Sequence, residues 1–223
     1  MTKVTLTAMT FGGLERALLT TLRVDPDKTE TFRARLKQLQ RLGFPPGVNV
    51  GRGTKMSYGT EHLVQLMFAF ELISTGIPAK TATEMVLQGW GRIRSACRVI
   101  GQNDPAMIDT PIEILVAFRP DLLGQPPTLV LPTIEDVESL RDRLRGKTLP
   151  GTYIVLEASR LVHRLLNVGG EAGRIVSHML YRELRSWPGP PRFDFLGPDE
   201  DNWYRVGAFD AEGVIIYDRN PKA

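Results

Sequence analysis

Apolar residues recur at helical spacing through most of the first hundred positions. Leu14, Ala17, Leu18 and Leu22 predict a helix over Gly13–Leu22. The stretch RVDPDK, Arg23–Lys28, reads as a turn centred on Pro26. In TETFRARLKQLQRL, Thr29–Leu42, the residues Phe32, Leu36, Leu39 and Leu42 form one apolar face, and Arg33, Arg35, Lys37, Gln38 and Arg41 lie opposite. Gly43 ends that helix and Pro45-Pro46 prevent a restart. GVNVGRGTKMS, Gly47–Ser57, carries glycines, two cations and two valines, and predicts a short β-hairpin. Tyr58 leads into a third helix with Thr60 as N-cap and Leu63, Leu66, Met67, Phe70, Leu72 and Ile73 on its buried side. Gly76 closes that helix. Ile77-Pro78 turn the chain, and Lys80–Gln88 begins a fourth helix that runs on toward Val99.

The pattern then changes. Gly101–Thr110 is polar, holds Gly and Pro, and reads as a linker. Ile112–Phe118, Thr128–Leu131 and Tyr153–Leu156 are short, branched runs that predict strands. Thr133–Arg145, a segment reaching Arg164–Leu166, and Glu171–Trp187 predict helices, with further strands near Trp203–Ala208 and Val214–Tyr217. The expected fold class is α+β. A helical winged domain spans 12–98, a linker 99–110, and a mixed α/β module 111–223.

Composition changes this picture mainly through charge. The chain has 223 residues, 42% hydrophobic and 24% charged, which is ordinary for a globular protein. Its net charge of +3 is unevenly distributed: residues 1–98 carry a net +7 and residues 99–223 a net −4. A basic half joined to an acidic half is expected when one part meets a polyanion. No apolar run is long enough to span a bilayer and the N-terminus lacks signal-peptide character, so a cytoplasmic, nucleoid-associated protein without a membrane partner is expected. The single cysteine, Cys97, excludes an internal disulfide and is expected as a buried core residue. His62, His163 and His178 are scattered, and neither a metal nor another cofactor is expected.

The order of features in the first half is helix, turn, basic helix, glycine-rich basic hairpin, tyrosine, helix, Gly-Ile-Pro break. The matching pieces are RLGFPPG at Arg41–Gly47, GRGTKMSYG at Gly51–Gly59, TEHLVQLMFAFELI at Thr60–Ile73 and STGIPAKTATEMV at Ser74–Val86. In this order they resemble the winged helix-turn-helix of the MerR family. The resemblance implies a transcriptional regulator of bacterial or phage type that binds double-stranded DNA. It implies a recognition helix at about 29–42 in the major groove and a basic wing at about 47–58. A helix in the groove offers its N-terminal residues to base edges first. These are Thr29, Glu30, Thr31 and Arg33, with Arg33 able to hold a guanine or a phosphate. Arg35, Lys37, Gln38 and Arg41 suit backbone phosphates, and Arg52 and Lys55 on the wing reach phosphate or the minor groove, next to Tyr58. The plainer alternative for Thr29–Leu42 is a solvated amphipathic helix.

MerR proteins follow the winged domain with a long dimerisation helix; here the fourth helix ends near Gly101 without sustained heptads. A homodimer is still expected, because operators mirror two-fold protein symmetry. Glu171–Trp187 and Ile154–Leu166 are the candidate dimer elements. The second half has two further readings, as an effector-binding domain or as a contact for RNA polymerase or another regulator. An excisionase-like accessory factor is an alternative function for the whole chain, although such proteins are shorter. A ligand-binding or enzymatic second half, tethered to DNA by the first, is another. No Walker loop, dinucleotide fingerprint, nucleophile elbow or HExxH motif is present. Asp199–Asp201 lie in a Pro/Gly-rich loop, and Ser159 and His163 lack an orienting acid, so no enzyme is expected.

Overall fold

The computed structural model describes residues 9–48, 57–102, 114–119, 130–135, 154–166, 180–187, 208–209 and 215–216. Helix α1, Phe11–Thr21, starts at Thr10, whose hydroxyl accepts from the Gly13 amide, and buries Leu14 and Leu18. A 3-10 turn at Pro26–Lys28 is set by Asp25, whose carboxylate accepts from the Asp27 amide. Helix α2, Thr29–Arg41, follows directly. Its last amide bonds are closed off at Gly43, where φ is +76°. A left-handed residue there turns the chain out of the helix, as glycine permits. Leu42 is therefore not part of the apolar face: it sits beyond the last helical residue and is 46% exposed.

Helix α3, Thr60–Ser74, has Gly59 as its N-cap rather than Thr60. The eight residues Leu63 through Phe70 are all buried, so α3 is enclosed on every side over that stretch. Gly76, with φ +95°, ends it. The expected single fourth helix is two: α4, Ala79–Gln88, and α5, Trp90–Gln102, separated at Gly89. Residues 99–102, expected to begin the linker, are the last turn of α5. The remainder of the expected linker lies outside the described residues.

The strands β1, Leu115–Arg119, β2, Val130–Glu135, and β3, Ile154–Glu157, form one sheet in the order β2-β1-β3. Both pairings are antiparallel, with Val116 opposite Ile134 on one side and Leu156 on the other. A short antiparallel ladder joins β4, Ala208–Phe209, to β5, Ile215–Ile216. The described sheets are thus antiparallel, and the fold is a mostly helical α+β arrangement. Residues 133–135, expected to open a helix, continue β2; Pro132 and the branched Thr133 and Ile134 favour extended backbone there. The rest of that expected helix, through Arg145, lies outside the described residues.

Helix α6, Ala158–Leu166, leaves β3 directly, and residues 180–186 form a further helical segment, α7. One buried cluster runs through both halves of the chain. Phe68 of α3 meets Phe118 of β1 at 6.5 Å between ring centroids, and Trp90 meets Trp187 edge-on at 5.7 Å. Helix α5 packs on β2 and α6. At Gly101 the backbone of α7 comes so close that an added Cβ would stand 2.7 Å from the Leu184 Cβ.

Candidate nucleic-acid interface

Helix α2 is fixed to the body by Phe32, Leu36 and Leu39, all buried, with the Phe32 ring stacked 4.4 Å from that of Phe70. Burial of each such side chain stabilises by roughly 1.5–3 kcal/mol. The 3.6-residue period then places Glu30, Ala34, Lys37, Gln38 and Arg41 on the opposite face, with Thr31 and Arg35 along one flank. Thr31, Arg35, Lys37, Gln38 and Arg41 are all exposed. Among the described residues no ion pair holds Arg35, Lys37 or Arg41. Their charge is open to solvent and to an anionic partner.

Arg33 is different. Its Nε donates to Glu15 Oε1 at 2.8 Å and its Nη1 to Glu30 Oε1 at 2.6 Å. Glu15 is a buried acid on α1, so the pair ties α1 to α2. The hydrogen bond it donates to Glu15, then the charges of Glu15 and Glu30, raise the Arg33 pKa above its ordinary value. The Thr29 hydroxyl donates to the Pro26 carbonyl at 2.8 Å and anchors the start of the helix. Of the four N-terminal residues expected to face bases, three are engaged through their side chains, and Thr31 is exposed with no side-chain hydrogen bond among the described residues.

Wing residues Arg52 and Lys55 lie outside the described residues. The ends of that segment are described. Tyr58 is fully buried, its backbone exchanges two hydrogen bonds with Met9, and its hydroxyl accepts from the Gln40 side chain. Tyr58 therefore fills the core and offers no surface to a duplex. Burial pushes its pKa up, opposed by the Gln40 hydrogen bond. The His62 Nδ1 accepts from the Gly59 amide at 3.0 Å, and the ring also bonds the Pro46 backbone. One imidazole thus joins the two ends of the segment expected to form a wing. Burial lowers its pKa, which keeps the ring neutral and Nδ1 an acceptor. Gly59 itself is extended, with φ −97° and open space around it, so no close approach requires glycine there.

No family model matches the chain, and no curated protein matches it in sequence. Among the described residues no three His, Cys, Asp or Glu gather as a metal site, and no helix is long and apolar enough to cross a membrane. Cys97 is fully buried, and burial pushes its thiol up to about 12, well above the range of a reactive thiolate. The Ser159 hydroxyl is buried and accepts from the Ile114 amide at 2.9 Å, so it joins α6 to the start of β1. Asp199–Asp201 lie outside the described residues. In the two expected dimer elements, Leu156, Leu161, Val162 and Leu165, and Leu180, Leu184 and Trp187, are buried within the one chain.

Two residues escaped the sequence reading. His62 lies three positions after the Gly59 cap, but with the cap expected at Thr60, and with Gly and His in place of the Ser/Thr and Glu/Gln of a capping box, no local signal gave it this role. Glu15 sits beside Leu14 on the buried side of α1, but nothing in its local spacing names Arg33 as its partner.

Proposed function

We propose that the chain is a sequence-specific, DNA-binding transcriptional regulator, with the open face of α2 in the major groove and the segment after Gly47 as a basic, MerR-like wing. One observation carries the reading: Arg35, Lys37 and Arg41 stand exposed, with no ion-pair partner among the described residues, on a helix whose other face is locked to the core. An α-helix fits the major groove, and exposed cations flanking it meet phosphates. The net +7 of residues 1–98 supplies the long-range attraction. Arg33, in this reading, sets the angle of α2 against α1. The continuous core favours a regulator whose second half is joined mechanically to its DNA-binding half. A homodimer is part of the proposal, formed through a surface other than the apolar faces of α6 and α7.

Genome-wide occupancy of the tagged protein in its host tests this. The expected result is a small set of discrete promoter peaks sharing a common sequence. Uniform background across the genome contradicts it, and enrichment at recombination sites alone supports the accessory-factor alternative.

A further inference from the structure

The interface names which cations meet phosphate but not which residue reads sequence. The residue first in line from sequence, Arg33, is held by two carboxylates, and Glu30 is held by Arg33 in turn. A base-reading side chain must be exposed, on the groove-facing surface, and without a competing partner inside the protein. Gln38 meets all three conditions. It is exposed, it lies on the side of the helix away from Phe32, Leu36 and Leu39, and among the described residues no hydrogen bond holds its side-chain amide. Its amide both donates and accepts, as a bidentate contact to adenine N6 and N7 requires.

Its neighbours suit that role. Ala34, one turn earlier, is exposed and small, so the helix can approach the floor of the groove and place a methyl beside a thymine methyl. Arg41, one turn later, Lys37 beside it and Arg35 on the flank are exposed cations that hold the backbone on either side. Thr31 shares the stripe, but a hydroxyl bonds any base edge and discriminates less.

We infer that Gln38 is the specificity-determining residue of α2 and that it reads the adenine of an A·T pair, with Ala34 against the thymine methyl. The inference rests on the DNA-binding reading above. Selection of the full chain against a random duplex library tests it, with Gln38→Ala and Gln38→Arg selected in parallel. The wild type is expected to enrich sites with a fixed A·T pair. Gln38→Ala should lose preference at that one position and bind the selected site roughly 10- to 100-fold more weakly. Gln38→Arg should shift the same position toward guanine. Both variants are helix-compatible surface changes, and circular dichroism checks that they fold. An unaltered base preference in Gln38→Ala and Gln38→Arg, with duplex binding intact, overturns the assignment while leaving the DNA-binding reading standing. Absence of duplex binding by the wild type overturns both.

Discussion

Helices α2 and α5 are both thirteen residues long and both carry several cations, yet they do opposite things with them. Helix α2 buries three residues and leaves Arg35, Lys37 and Arg41 in water. Helix α5 buries seven, from Ile93 to Gly101, and its arginines are partly enclosed. Burial lowers the Arg92 pKa, and the Nε atoms of Arg94 and Arg98 are shut off from solvent. Helix α5 is packed against both β2 and α6. Charge count alone would have ranked the two helices together. What separates them is how much of the circumference is covered, and only an open face can meet a polyanion.

That contrast can be broken experimentally. The largest effect belongs to the anchor of α2: Leu36→Ala should cost about 2–5 kcal/mol of stability, because a fully buried side chain leaves a cavity. Chemical denaturation measures it, and a cost below about 1 kcal/mol would show that α2 is not seated as described. Next comes the α5–α7 contact. Gly101→Ala inserts a methyl against Leu184 and the Arg185 backbone, and should destabilise by about 1–3 kcal/mol. Its signature is a lower Tm with no change in duplex affinity per folded molecule.

Charge substitutions sharpen the comparison further. Arg41→Ala should weaken duplex binding several-fold and flatten its salt dependence by about one unit of slope, with Tm unchanged. Arg94→Ala should do the reverse, lowering Tm and leaving the salt slope alone. Similar slopes for the two variants would erase the distinction between the helices. The smallest effect is at His62. Its folded-state pKa lies below the ordinary 6.5, so the unfolded chain takes up the proton first as pH falls. Stability contributed by the neutral ring is complete above 6.5 and declines as pH drops below it toward the folded value. The difference in denaturation midpoint between wild type and His62→Asn should therefore shrink between pH 7.5 and 5.5. A constant difference would show that the ring does not titrate with folding.

The sequence showed α2 well because its apolar spacing is strict and Gly43 marks its end. It could not show that Leu42 belongs to the turn, since spacing continues in phase after the helix stops. The break between α4 and α5 is hidden for the same reason: no proline intervenes and apolar residues persist through Gly89. The antiparallel sheet and the continuity of the core depend on contacts far apart in the chain, such as Phe68 with Phe118. Local periodicity does not report them. At the proposed interface, the exposed cations of α2 were legible as a polar face. The capture of Arg33 by Glu15, eighteen residues away, and the burial of Tyr58 were not.

The most direct test of the account is fluorescence anisotropy of the full chain with a labelled random duplex in low-salt buffer, alongside the Arg35→Ala, Lys37→Ala, Arg41→Ala triple variant. The account predicts that the wild type binds and that the triple variant loses about 100-fold or more in affinity while melting at the same temperature. A wild type that ignores the duplex, or a folded triple variant that binds it equally well, contradicts the claim that the open face of α2 is where this protein meets DNA.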